Sequence, residues 1–191
     1  MKTIILASGS PRRKELLDQM GLAYDIIVSD VDESGLDHME PAELVQALAS
    51  LKAQAVAEEL LSEKEDALVI GADTLVVLND QILGKPTDNL DAEKMLSILS
   101  GKMHMVYTGV SIVDTKNNTE ETFVQSSKIY MKDMSPEEIK AYVLTKEPLD
   151  KAGSYGIQGK GGVFVEKIEG DYFSVMGLPI AKLYEQLKNY R

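Results

Sequence analysis

The chain has 191 residues and a net charge of −11, from 20 Lys plus Arg against 31 Asp plus Glu. It has no Cys, so disulfide frameworks, thiolate nucleophiles and Cys-ligated metal centres are excluded, and two histidines, His38 and His104, are too few for a His-rich centre. No apolar run approaches the roughly 18 residues of a membrane span, the opening segment is too short for a signal peptide, and the acidic balance disfavours broad nucleic-acid binding, so a cytoplasmic protein with neither membrane nor nucleic-acid partners is expected.

Lys2 to Ala7 reads as a buried strand around Ile4, Ile5 and Leu6. Ser8-Gly9-Ser10 turns the chain. Ser10 then suits a helix N-cap and Pro11 the first helical position, with Leu16, Leu17 and Met20 as the apolar side and Gly21 as the stop. Tyr24 to Val28 reads as a strand, and Ser29 to Glu40 as an acidic loop. Pro41 opens a helix that continues to about Leu61, with Leu44, Leu48, Leu51 and Ala55 at helical spacing. Ala67 to Ile70 and Leu75 to Leu78 are apolar strand segments around Gly71-Ala72-Asp73-Thr74. Asn79-Asp80 is a hairpin signal leading to Gln81-Ile82-Leu83, an edge that Gly84-Lys85-Pro86 breaks. Asp91 to Leu99 reads as a helix. Met105 to Asp114 and Glu120 to Tyr130 read as strands joined at Lys116-Asn117-Asn118.

Ser135-Pro136-Glu137-Glu138 is a helix start with a Ser-x-x-Glu capping box. Glu147 to Gly162 is rich in glycine and turn residues. Val163 to Ile168 reads as a strand, Tyr172 to Val175 as a further extended piece, and Leu178-Pro179 as the start of a C-terminal helix. Strands and helices interleave and hairpins sit among them, so the expected class is α/β with a mixed sheet, in one domain over residues 1–191.

Five clusters carry unusual chemistry. Arg12-Arg13-Lys14 places three cations in the first turn of a helix, the end that favours acids; a bound anion held by backbone N–H groups, Ser8, Ser10 and the Arg forks resolves that conflict. Asp73 lies in an apolar strand pair, where a carboxylate is costly unless paired or metal-bound; it fits a general base, a Mg²⁺ ligand, or a bulge residue satisfied by backbone donors. Lys85 fits either a fixed cation or an exposed turn residue, and Lys52 either reaches a site or snorkels to water. The segment from Lys151 to Gly162 is neither a Walker A loop nor a dinucleotide fingerprint; it offers many backbone N–H groups and one amide, Gln158, of the kind that pairs with a base edge. Asp30, Asp32 and Glu33 suit a hard cation or a solvated acidic loop.

In order along the chain, Ser8-x-Ser10-Pro11-Arg12-Arg13, Glu33, Lys52-Ala53, Gly71-Ala72-Asp73-Thr74, Gly84-Lys85-Pro86, Ser100-Gly101, Gly153-x-Tyr155-Gly156-Ile157-Gln158-Gly159, Gly170-Asp171-Tyr172 and Val175-Met176-Gly177-Leu178-Pro179 resemble the Maf (septum-formation-inhibitor) family of nucleoside triphosphate pyrophosphatases. The resemblance implies hydrolysis of a nucleoside triphosphate to monophosphate and pyrophosphate with a divalent cation, Mg²⁺ or Mn²⁺. It implies Asp73 as the proton acceptor that activates water, and Arg12, Thr74 and Gln158 as the groups that set base preference. Ser8, Arg13, Lys52 and Lys85 are implied as phosphate-site residues, and Glu33 and Asp73 as metal ligands. Arg12 after the motif proline, Thr74 after Asp73, and Gln158 resemble the branch that prefers dTTP and UTP over the one that prefers 7-methyl-GTP. The family further implies an elongated fold with a curved mixed sheet, two lobes around a deep cleft, and homodimers. A nucleotide-sensing regulator of septum formation with little catalysis is the rival reading.

Overall fold

The computed structural model describes residues 2–36, 39–63 and 66–190; His38 lies outside them. Along the chain come β1 (Thr3–Leu6), α1 (Pro11–Gln19), β2 (Asp25–Ile26), α2 (Pro41–Glu63), β3 (Ala67–Leu78), β4 (Gln81–Leu83) and α3 (Asn89–Leu99). There follow β5 (Met103–Asp114), β6 (Thr119–Met131), α4 (Pro136–Leu144), β7 (Val165–Glu169), α5 (Tyr172–Met176) and α6 (Ile180–Leu187). The seven strands form one sheet in the order β2-β1-β3-β5-β6-β7, with β4 paired to β3. β1 runs parallel to β2 and β3, whereas β4 is antiparallel to β3 and β7 to β6, so the sheet is mixed and the class is α/β.

The residues group into two compact units. One comprises Met1–Asp73, Thr108–Gln125 and Gly177–Arg191; the other comprises Thr74–Tyr107 and Ser126–Met176. In the first, Ile5, Ala7, Ala67 and Val69 of the β1–β3 region pack against Ala53, Val56, Ala57 and Leu60 of α2. The buried side of α2 also includes Val45, Leu48 and Ala49, while Leu51 and Ala55 are only half-buried. The apolar stripe is therefore turned toward small residues, and the glycines opposite explain why. A Cβ on Gly71 would meet the Ala49 carbonyl and the Ala53 amide nitrogen; one on Gly109 would meet the Val45 carbonyl. The α2 backbone thus rests directly on β3 and β5, an approach that larger side chains would block.

The second unit has its own core, in which Leu96 and Leu99 of α3, Ile139 and Val143 of α4, and Ile129 and Met131 of β6 pack together with Tyr142 and Tyr155. Asn79 and Asp80 both adopt positive φ, 49° and 64°, as the β3–β4 hairpin requires.

Three local expectations change. β3 runs unbroken through Gly71–Thr74. Tyr172 to Met176 is helical rather than extended, because Asp171 caps it: its carboxylate accepts from the Phe173 N–H at 2.9 Å and its carbonyl from Ser174 Oγ at 2.7 Å. The strand expected from Val163 begins at Val165, after a 3₁₀ turn over Lys160–Phe164.

Candidate active site

The first unit assembles five of the residues singled out from the sequence. Gly71 and Asp73 lie two apart in β3 and so project to one face of the strand, the face on which α2 rests. The close seat that Gly71 gives Ala53 brings the neighbouring Lys52 to Asp73. Lys52 Nζ donates to Asp73 Oδ1 at 2.5 Å and lies 2.9 Å from Glu33 Oε1. The Lys52 and Asp73 side chains are only 15% and 14% exposed, against 49% for Glu33. The pair is shielded enough for its attraction to exceed that of a surface pair, while Glu33 remains open to solvent. Asp73 is paired with an ammonium within a continuous strand, and Lys52 turns inward to it rather than out to water.

The turn after β1 supplies the second half of this cluster. Ser8 is buried, and its Oγ accepts from the Ser10 N–H at 3.3 Å and from Arg13 Nη1 at 3.0 Å. Arg13 Nε donates to the Gly177 carbonyl at 3.0 Å, which fixes the guanidinium fork. Burial lowers the Arg13 pKa and Arg12 pushes it the same way, while Asp73 and Glu33 pull it up. Arg13 therefore shares one electrostatic neighbourhood with both carboxylates. Ser10 departs from expectation: its side chain makes no cap bond. The Ser10 N–H itself donates to Ser8 Oγ.

Thr74, Lys85 and Gln158 belong to the second unit. Thr74 follows Asp73 in β3 and so leaves the strand on the opposite face. Lys85 is exposed beside the end of β4, and Gln158 is exposed in the glycine-rich loop. That loop also departs from expectation, since its amide groups are largely taken. Gly156 N–H donates to Tyr142 Oη at 3.0 Å, and the Lys160 and Gly161 N–H groups donate to the Glu147 carboxylate at 2.9 and 3.1 Å. These donors hold the loop rather than waiting for a phosphate. Sequence reasoning missed Glu147 and Tyr142. The signal available was the spacing of Gly156, Gly159 and Gly161, which marks backbone that something approaches closely.

Glu33 and Asp73 both reach the same cationic nitrogen, so their oxygens converge on one point, as two ligands of a hard cation must. Among the described residues no set of three or more His, Cys, Asp or Glu forms a cage. Two carboxylates fit Mg²⁺ or Mn²⁺ of the kind completed by water and substrate phosphate oxygens. No helix among the described residues is long and apolar enough to cross a membrane.

A family model described as Maf-like protein matches residues 3–190. A dTTP/UTP pyrophosphatase of Bacillus cytotoxicus is 50% identical over 190 residues, covering 100% of this chain and 96% of that protein. A dTTP/UTP pyrophosphatase of Bacillus anthracis is 52% identical over 190 residues, with the same coverage. Among solved structures, a HAM1 protein from Coxiella burnetii aligns with a TM-score of 0.55 at 13% identity, over 99% of this chain and 100% of that one, a likeness of fold.

Proposed function

The chain belongs to the Maf-like protein family, and on that premise we propose that it is a nucleoside triphosphate pyrophosphatase that cleaves dTTP and UTP to the monophosphate and pyrophosphate. The observation that carries this reading is the Asp73–Lys52–Glu33 cluster beside the Arg13–Ser8 pair. A carboxylate general base, inward cations and an anion-ready turn are the parts that hydrolysis of a phosphoanhydride needs.

Asp73 takes the proton of the attacking water as its oxygen bonds to phosphorus; the α–β anhydride bond breaks and pyrophosphate leaves. The Lys52 ammonium, bonded to Asp73 Oδ1, fixes the orientation of that carboxylate before substrate arrives. Arg13 presents a pre-oriented fork to phosphate oxygens, since Ser8 and the Gly177 carbonyl already fix its plane. Glu33 and Asp73 are the residues that would hold the divalent cation, Mg²⁺ or Mn²⁺. When bound, it supplies charge neutralisation on the phosphates. Lys85 adds a phosphate cation, while Arg12, Thr74 and Gln158 set base preference; the family motifs support these four roles. The same reading carries a cytoplasmic enzyme that works as a homodimer, which cell fractionation and sedimentation test.

The decisive experiment is a panel of ribo- and deoxynucleoside triphosphates with Mg²⁺ or Mn²⁺, assayed separately for pyrophosphate and orthophosphate. Pyrophosphate release greatest with dTTP and UTP is the expected result. Orthophosphate release would instead indicate a phosphatase, and no release from any nucleotide would leave a nucleotide sensor.

A further inference from the structure

We propose that Glu147, together with Tyr142, is a positioning device that sets base specificity by holding the Gln158 loop from behind without touching substrate. It rests on the reading of Gln158 as a base-contacting group. Glu147 Oε1 accepts from Tyr142 Oη at 2.9 Å and from the Gly161 N–H at 3.1 Å, while Oε2 accepts from the Lys160 N–H at 2.9 Å. Tyr142 Oη, buried in the core of the second unit, accepts in turn from the Gly156 N–H at 3.0 Å. The bonded amides therefore bracket Gln158 on both sides, at 156 and at 160–161. The two residues that do this stand on α4 and on the 3₁₀ turn Glu147–Asp150, not on the loop itself.

The glycines show how closely the clamp is fitted. A Cβ on Gly159 would lie 2.4 Å from Glu147 Oε1, and one on Gly161 2.4 Å from Tyr142 Oη, so each would force the clamp to shift. Glu147 is fixed in its own right: its N–H donates to Thr145 Oγ1 at 3.2 Å, its carbonyl accepts from Lys151 Nζ at 2.7 Å, and Pro148 beside it is buried. The three donors on the carboxylate outweigh its burial and hold its pKa below the ordinary value, so it stays an acceptor at neutral pH. A loop of six residues with three glycines would otherwise sample many conformations. An amide reads a base edge only when it is held to a fraction of an ångström.

The test measures kcat and KM for dTTP, UTP, dGTP and GTP in Glu147→Ala, Glu147→Gln, Gly159→Ala and Gln158→Ala, with hydrogen exchange of the amides at 156, 160 and 161. Glu147→Ala is expected to raise KM for dTTP and UTP by about tenfold, the scale of one bidentate amide–base contact, and to leave the purine nucleotides nearly unchanged. Gly159→Ala displaces the carboxylate and should reproduce this. Glu147→Gln retains one acceptor oxygen and should rescue part of it. The Glu147/Gln158 double variant should lose no more than the larger single loss. Amide exchange should quicken in Glu147→Ala but not in Gln158→Ala. An equal fall in kcat for every nucleotide, or unchanged selectivity despite faster exchange, would overturn the proposal. Unchanged selectivity in Gln158→Ala removes the base-reading premise and the proposal with it. That failure stays distinct, because the exchange data report the clamp independently. Where Glu147→Ala fails to fold, the milder Glu147→Gln and Gly159→Ala decide by the same measurements.

Discussion

Two helices of this protein open with the same dipeptide and complete it in opposite ways. α4 begins Ser135-Pro136 and α1 begins Ser10-Pro11. At α4, Ser135 Oγ accepts from the Glu138 N–H at 3.2 Å, the Glu138 carboxylate accepts from the Ser135 N–H at 2.7 Å, and two acids occupy the first turn. At α1 there is no side-chain cap and no acid, and Arg12, Arg13 and Lys14 stand where acids would be stabilising. One start uses its side chains on its own backbone; the other turns Arg13 away from its own helix, onto Ser8 Oγ and the Gly177 carbonyl. Ser-Pro marks where a helix begins, and the residues after it say what the beginning is for.

The largest effect that could break this contrast lies beside α1. Asp73→Asn keeps an oxygen for Lys52 but loses the proton acceptor. It should cut turnover by about 10² to 10⁴ with little change in melting temperature, read by pyrophosphate release and a thermal melt. Near wild-type turnover would remove Asp73 from its assigned role. Next in size is Gly71→Ala. The new Cβ would press on the Ala49 carbonyl and the Ala53 nitrogen, both of them helix backbone that cannot rotate away. Overpacking of this kind should cost up to about 3 kcal/mol in urea unfolding. It should also depress turnover, because α2 moves and takes Lys52 off Asp73. Loss of stability with full activity would show that the seat of α2 does not position Lys52.

A third effect belongs to the second unit and titrates. His104 is 1% exposed, its Nε2 hydrogen-bonds Tyr155 Oη at 2.8 Å, and burial lowers its pKa from 6.5 to about 4. The unfolded chain therefore binds more protons than the folded one once pH falls below 6.5. Stability is complete above that value, falls as pH drops, and levels off near pH 4, with a loss of about 2 kcal/mol at pH 5. Chemical denaturation across pH 4–7 reads this slope. His104→Leu should lie lower at neutral pH but run flatter through that interval; an undiminished slope would place the titrating group elsewhere.

Much of this was legible because local chemistry decided it. The capping box at Ser135, the Asn79-Asp80 hairpin and the long β5–β6 pair follow from short-range rules that tertiary contacts reinforce. The Asp73–Lys52 pairing was open in sequence because its cause is the depth at which α2 sits, set by Gly71 and Gly109 across long separations. The turn of the α2 stripe away from Leu51 and Ala55 has the same origin. Tyr172–Met176 reads as extended in sequence and is helical in the fold because its short helix depends on a cap from Asp171. The glycine-rich loop reads as free donors in sequence because Glu147, the carboxylate that holds it, stands 13 residues before the first amide it accepts from, among turn residues.

The smallest expected effect tests the opening contrast most directly, by making one substitution at both helix starts. Ser135→Ala removes the acceptor that the Glu138 N–H uses, while the backbone N–H of residue 135 still donates to the Glu138 carboxylate, so stability should fall by about 1 kcal/mol with unchanged turnover. Ser10→Ala removes a hydroxyl that makes no cap bond, and the Ser10 N–H keeps its bond to Ser8 Oγ. Its effect on stability should stay within a few tenths of a kcal/mol, and any consequence should fall on KM for the triphosphate. Paired urea titrations and KM measurements separate the two. If Ser10→Ala costs as much stability as Ser135→Ala, the Ser10 hydroxyl caps α1 after all, and the three cations after it then stand on an ordinary helix start rather than one kept for an anion.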